Sequence, residues 1–470
     1  MGILLSNNKK MILLILGGIG LYLALTLPFL QKMPVTTDEV QFAEPAYNFI
    51  TYGHFGTTSL SGLFDFHQKT YWQHPLYLAL MYFPIKIFGY NFWSIKILSV
   101  VTGLIALIFA YRIGRELGVP HLFPAMLTLN ALFIFLAKIG RMEALTMCLA
   151  LAAFYYAVKQ KYLLAGLVSS LALLTHPIGA FTVLNALTVF IYHRKFDARY
   201  FLGLALPFIV VFSFVLDDFR EFKRQYLMVQ NYLYDARGLL GGPGTHLENF
   251  LALVDRSGAW LKLQLPIFVL FIWGIFQKKD GLQKTVAVIA LVNFLGLALL
   301  VPNKYVNYYS ALVLPFTILF VAMAVASNRR IPVILVLVIT LAANGLMAAK
   351  VNSSFIDNDN NILALEMLIK PGATILGPPA LGVPLKDRRV VGFHAVKMIM
   401  DLEEKTAEEA LAELKPDYIV VDSSVTGEQT WRLFTESEDK FIAFLKENTV
   451  FRGKTGFNGD DVYIFEMLHN

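Results

Sequence analysis

The sequence predicts a polytopic all-α membrane protein with a small C-terminal α/β extracytoplasmic domain. Three observations carry that prediction. The 470 residues are 56% hydrophobic and only 16% charged, far from the composition of an ordinary soluble domain. Apolar runs long enough to cross a bilayer recur from Met11 to Ala349 and then stop. The connections between those runs are basic on one side of the membrane and mixed on the other.

A span needs roughly 20 apolar residues. The candidates are Met11–Leu30, Trp93–Arg112, Pro120–Lys138, Ala144–Val158, Leu163–Thr175, Ile178–Tyr192, Phe201–Leu216, Trp260–Phe276, Thr285–Val301, Ala311–Ala326 and Ile331–Ala349. That makes about eleven helices, several of them short. The first follows "NNKK" and no small-residue cleavage site follows it, so it reads as an uncleaved signal-anchor. "PLYLALMYFPIKIFG", Pro75 to Gly89, is short and interrupted by Pro84 and Lys86, and reads as a helix lying on the membrane surface.

With the amino terminus cytoplasmic, the inner connections are "NNKK", "RIGRELG", "KQK", "HRKFDAR", "QKKDGLQK" and "NRR". Each is basic, as the positive-inside rule requires. The net charge of +6 is therefore spread over topology signals and not gathered into a nucleic-acid patch. The single Cys148 lies in an apolar run and excludes an intrachain disulfide. The outer connections carry acids, histidines and isolated cations: "TTDEVQF", "FDFHQKTYWQHP", "GRMEAL", "THP", Asp217 to Gly258 and "VPNKYVNYY".

After Ala349 the pattern changes. Asn361 to Lys370 reads as a short helix ended by "PG", and "ATILG" and "RRVVGFH" read as strands. "TAEEALAEL" opens with the capping box Thr406…Glu409; "DYIVVDS", "SEDKFIAFLKEN" and "DDVYIFEML" read as strand, helix and strand. The predicted domains are thus residues 1–350, a transmembrane part with its first outer loop at 31–92, and residues 351–470, an α/β domain placed outside by the odd span count.

The outer polar residues carry the chemistry. Asp38 and Glu39 are either a helix cap or a general base made more basic by partial desolvation. His74, before Pro75, is either an interfacial residue beside Trp72 or a contact to a phosphate. Arg141 and Glu143 sit at the outer end of the third span, and His176 at a break between two short spans, where broken helices line polar cavities. Lys304 and Tyr305 sit at the outer end of a later span. A cation on that side is either a snorkelling anchor or a contact to an anionic ligand. "GLLGGPGTHLENF" lacks the phosphate-loop order and reads as a flexible loop over a site. Asp65, His67 and His74 could cradle a divalent cation, on a spacing that matches no firm metal pattern. No cofactor is obligatory.

Three stretches in this order, "TDEVQFAEPAYNFITYG", "YWQHPLYLALMYFPIKIFG" and "FWSIKILSVVTGLIALIFAYRIGREL", resemble the opening of GT-C glycosyltransferases. The nearest branch is that of the protein O-mannosyltransferases and lipid A aminoarabinose transferases, glycosyltransferase family 39 and its relatives. "RMEAL" resembles their Arg-x-acid element, and "NKYVNYYSALVLPF" their late basic-x-Tyr element. Two departures stand out: the family's Pro-Pro is a single Pro75, and the acid of Arg-x-Asp is Glu143.

The resemblance implies a polyprenyl-phosphate-linked sugar as donor and inverting hexosyl or pentosyl transfer on the outer face of the cell membrane. It implies Asp38 as base, Glu39 as its companion, His74 near the donor phosphate, and Arg141 with Glu143 bracing the first outer loop. The residues argue the same way independently. No G-x-G-x-x-G unit is present to hold a nucleotide sugar, so an outward site needs a donor carried across by lipid. The acceptor is a lipid, a glycan or a protein hydroxyl. Two rival readings are a multi-span transporter, which the lack of an internal repeat disfavours, and an outer-face ligase transferring whole glycans.

Overall fold

The computed structural model describes residues 16–30, 33–235, 258–277, 280–300, 311–327, 335, 338, 359–422, 438–457 and 460–468. By contacts between residues the chain divides into two compact units. One is Met1–Phe29, His74–Tyr77 and Lys96–Ser353; the other is Leu30–Gln73, Leu78–Ile95 and Ser354–Asn470.

The first unit is helical. Helix α1 (Leu16–Thr26) is followed by α2 (Thr37–Tyr52), α3 (Pro75–Leu80) and α4 (Tyr82–Phe88), of which α2 and α4 belong to the second unit. The chain then runs through α5 (Phe92–Glu116), α6 (Leu122–Thr128), α7 (Ala131–Lys138), α8 (Glu143–Val158), α9 (Tyr162–Thr175), α10 (Ala180–His193) and α11 (Ala198–Val215). After α12 (Phe219–Asp235) come α13 (Gly258–Ile275), α14 (Gly281–Leu300) and α15 (Val313–Ser327).

Among the described residues, two helices are long and apolar enough to cross a membrane, Phe92–Glu116 and Ala198–Leu227, and shorter apolar helices surround them. Helices α9 and α11 pack by close approach at glycine. At the α9–α11 crossing, a Cβ on Gly166 would meet the Tyr200 carbonyl oxygen at 2.0 Å. One on Gly203 would meet that of Leu163 at 2.2 Å. Both positions require glycine. Helix α1 is tied to α5 by the Tyr22 hydroxyl, which donates to the Val100 carbonyl at 2.8 Å.

Two expected elements differ in form. The run Pro120–Lys138, expected as one span, is two short helices. Asn130 breaks it, because its side chain accepts from the Leu132 and Phe133 amides at 3.0 and 3.2 Å and caps α7. The segment from Pro75 is likewise two helices, with Pro84 in the first turn of α4, where its missing N–H costs nothing. Apart from Leu335 and Val338, the expected span Ile331–Ala349 lies outside the described residues, as does the glycine-rich loop.

The second unit holds a five-stranded sheet of order β2-β1-β3-β5-β4. Its strands are β1 (Thr374–Leu376), β2 (Arg389–Val391), β3 (Tyr418–Val421), β4 (Thr449–Phe457) and β5 (Asp460–Met467). β1 pairs in parallel with β2 and β3, and β5 pairs antiparallel with β3 and β4. β3 is central and buried throughout, as its unbroken "YIVV" requires. Helices Asp359–Leu368, Phe393–Glu403, Ala407–Leu414 and Glu438–Asn448 alternate with the strands. The capping box at Thr406 and Glu409 forms as expected. β4 was not expected; "TVFRGKTGF" is a charged, half-exposed edge strand that carries no core-strand signal.

Candidate active site

Helix α2 begins at a second capping box. Thr36 Oγ1 accepts from the Glu39 amide at 3.4 Å, and Glu39 Oε2 accepts from the Thr36 amide at 2.8 Å. The acidic pair therefore divides. Glu39 is buried and occupied in the cap, whereas Asp38 is half-exposed one residue earlier in the first turn. The helix-cap reading holds for Glu39, and Asp38 lies in the first turn outside that pair of capping hydrogen bonds.

One residue of the same helix escaped the sequence reading. Glu44 is buried, and both its oxygens accept from the Ser59 amide, at 3.2 and 3.1 Å; Oε2 also accepts from Ser59 Oγ at 2.8 Å. Burial pushes its carboxyl up to about 7, against the Ser59 and Thr58 hydrogen bonds that pull it down. Tyr90, buried and stacked on Tyr47 at 4.4 Å, feels the Glu44 charge.

In the first unit, polar residues form two groups, one around Arg141 and one around His74. Arg141 and Glu143 are both buried and form an ion pair. Arg141 Nη2 donates to Oε1 at 2.9 Å, and Nε donates to Oε1 and Oε2 at 3.2 and 3.3 Å. Ser99 Oγ donates to the Arg141 carbonyl at 3.2 Å, tying this turn to α5. One turn before Ser99 on that helix lies Lys96, fully buried, and Lys138 at the end of α7 is close enough to feel its charge. Neither lysine was singled out from the sequence, because a lysine near the end of an apolar run reads as a snorkelling anchor.

His74 and His176 face each other with nearly parallel rings, centroids 6.5 Å apart. His176 Nδ1 accepts from the Ile178 amide at 3.1 Å and caps the turn Pro177–Gly179, which explains the break between α9 and α10. His74 Nε2 is buried and has no hydrogen-bond partner among the described residues. Burial pushes the His74 imidazole down to about 4, against a backbone hydrogen bond at Leu173. Near pH 7 it is neutral, so toward a phosphate it is a hydrogen-bonding group and not a cation.

These two shifts act on stability with opposite signs. A carboxyl whose folded pKa is raised favours the folded state below its ordinary value near 4.5 and loses that advantage as pH rises to about 7. A lowered histidine does the reverse, costing stability as pH falls from about 6.5 toward 4. Glu44→Gln, which stays neutral, should therefore melt above wild type by a margin that grows from pH 4.5 to 7.5. The full effect is about 3 kcal/mol. Thermal unfolding across that range checks it; a margin that shrinks with pH would show that Glu44 is ionised throughout.

Among the described residues no three His, Cys, Asp or Glu side chains come together as metal ligands, Asp65, His67 and His74 included. Lys304 and Tyr305 lie outside the described residues.

No protein-family model and no curated protein matches the chain by sequence. Solved structures do match it by fold. ArnT from Cupriavidus metallidurans bound to undecaprenyl phosphate aligns with TM-score 0.65 at 12% identity, over 97% of this chain and 98% of that one. The same protein in the apo state aligns with TM-score 0.53 at 13% identity, over 98% of both chains. The Archaeoglobus fulgidus oligosaccharyltransferase in complex with Zn and sulfate aligns with TM-score 0.53 at 12% identity, over 93% of this chain and 71% of that one. The chain has the GT-C fold. The expected mostly helical chain with a small C-terminal sheet is found, while the division at residue 350 and the count of about eleven spans are proposals.

Proposed function

We propose that this GT-C chain is an integral membrane glycosyltransferase that moves a sugar from a polyprenyl-phosphate donor to an acceptor on the outer face of the membrane. The observation that carries the reading is the match of fold over nearly the whole of both chains to a protein solved with undecaprenyl phosphate bound. The topology follows the basic connections: amino terminus cytoplasmic, C-terminal domain extracytoplasmic.

The chemistry needs a base, a clamp for the leaving phosphate and little else. Asp38 takes the proton from the acceptor hydroxyl or amine. The acceptor atom then bonds to the anomeric carbon as the bond from that carbon to the phosphate oxygen breaks. The electron pair leaves on the phosphate, and the anomeric configuration inverts. Lys96, Lys138 and Arg141, with Lys304, offset the charge that develops there. His74, His176 and Tyr305 supply hydrogen bonds, and Glu143 orients Arg141. Helix α4 presents Phe83, Ile87 and Phe88 outward, in keeping with a surface lying on lipid.

The ligase reading differs in donor, not in fold, since an oligosaccharyltransferase shares it. Purified protein offered a polyprenyl-phosphate monosaccharide, a lipid-pyrophosphate glycan, or a sugar gradient across a sealed vesicle should use the first alone. Use of the second alone would make it a ligase, and flux down the gradient a transporter.

Lys96→Ala and Lys138→Ala are each expected to weaken donor binding about ten- to hundredfold, since each removes a charged partner of a phosphate. Equilibrium binding of a labelled polyprenyl-phosphate sugar checks this. Unchanged affinity in both variants would take the lysines out of the clamp.

A further inference from the structure

Glu44 lies less than two turns from Asp38 on the same helix, and its carboxylate is committed to Ser59. Asn48, one turn further on, is buried too. Its Nδ2 donates to the Gly56 carbonyl at 2.8 Å and to Thr58 Oγ1 at 3.0 Å. Two side chains four residues apart on one face of α2 thus hold the segment 56–59. That segment passes the connection on. The Ser59 carbonyl accepts from the Gly392 amide at 2.9 Å, just beyond β2. The short turn Thr58–Leu60 packs on β2 and on the helix Phe393–Glu403, and α2 itself packs on Pro379–Gly382. All of these residues belong to one compact unit.

A buried carboxylate costs stability unless it is hydrogen-bonded, and a helix needing only to pack would hold an apolar residue here. What the carboxylate adds is a directed link between two stretches of chain more than three hundred residues apart from α2 to β2.

We propose that Glu44 is a positioning residue: through Ser59 it locks the helix that carries Asp38 to the C-terminal α/β domain, so that this domain sets where the Asp38 carboxylate stands. The α/β domain is then part of the catalytic scaffold and not an appended module. The lock is read from the hydrogen bonds alone; its effect on turnover rests on Asp38 being the base.

Hydrogen–deuterium exchange and transfer kinetics on the full-length protein in nanodiscs test both parts. In Glu44→Ala, peptides covering 57–60 and 389–393 should lose protection together, exchanging at least tenfold faster. kcat should fall at least tenfold with donor affinity within twofold of wild type. Glu44→Gln keeps an oxygen for the Ser59 donors and should restore most of the protection and of kcat, a rescue that simple loss of packing would not give. Should Glu44→Ala fail to fold, Ser59→Ala removes only the hydroxyl donor and should shift the same peptides by a smaller factor. Loss of protection at 57–60 with 389–393 unchanged would overturn the lock. Loss of both with unchanged kcat would overturn the positioning role. A wild-type protein that transfers no sugar would sink the glycosyltransferase reading and leave the exchange result to decide the lock.

Discussion

Asp38→Asn is expected to lower sugar transfer by roughly 100- to 10,000-fold while leaving donor binding nearly intact, the usual loss when a general base is removed. The amide keeps the size of the carboxylate and much of its hydrogen bonding but cannot take the acceptor's proton. The structure sharpens the comparison with its neighbour. Glu39 is engaged with the Thr36 amide in a capping box, so Glu39→Gln keeps an acceptor oxygen for that amide and should retain turnover within about tenfold. Steady-state kinetics with a saturating donor separate the two. A dead Glu39→Gln beside an active Asp38→Asn would reverse the roles, and two active variants would reduce the pair to a cap.

The second large effect is on stability. Arg141→Met alone should cost about 3–5 kcal/mol, because it leaves the Glu143 carboxylate buried at the start of α8 without the guanidinium it pairs with, and Glu143→Leu alone should also destabilise by removing the same ion pair. The double variant should recover most of the loss, since a buried ion pair and a well-packed apolar pair are of similar stability. Chemical unfolding of the four proteins gives the coupling directly. If the double variant folds yet binds donor weakly, Arg141 also belongs to the phosphate clamp. Additive single losses would mean that the pair does not brace this turn.

Much of the helical architecture was legible because long apolar runs and the change of composition after Ala349 need no tertiary information. The sheet strands at 374–376, 389–391, 418–421 and 460–467 are short apolar runs between turn residues, and all are found. What was not legible depends on which way a side chain faces. Glu44 sits in a sequence, "FAEPAY", that gives no sign whether its helix face meets water or the loop at Ser59. Lys96 and Lys138 look like anchors until the helices around them bury both. The break at Asn130 and the cap at Thr36 were available as N-cap signals, Asn before "ALFIFLAK" and Thr-x-x-Glu before "VQFA".

Sugar leaving a lipid phosphate is the central step of the proposed reaction, and one measurement addresses it directly. Purified wild-type protein in nanodiscs is supplied with a polyprenyl-phosphate sugar labelled at the anomeric carbon and an envelope extract from the source cells as acceptor pool. The predicted result is release of one polyprenyl phosphate for each label transferred, with the anomeric configuration inverted and with both signals lost in Asp38→Asn. Label transferred with retained configuration, or no release of polyprenyl phosphate by the wild type, would contradict it.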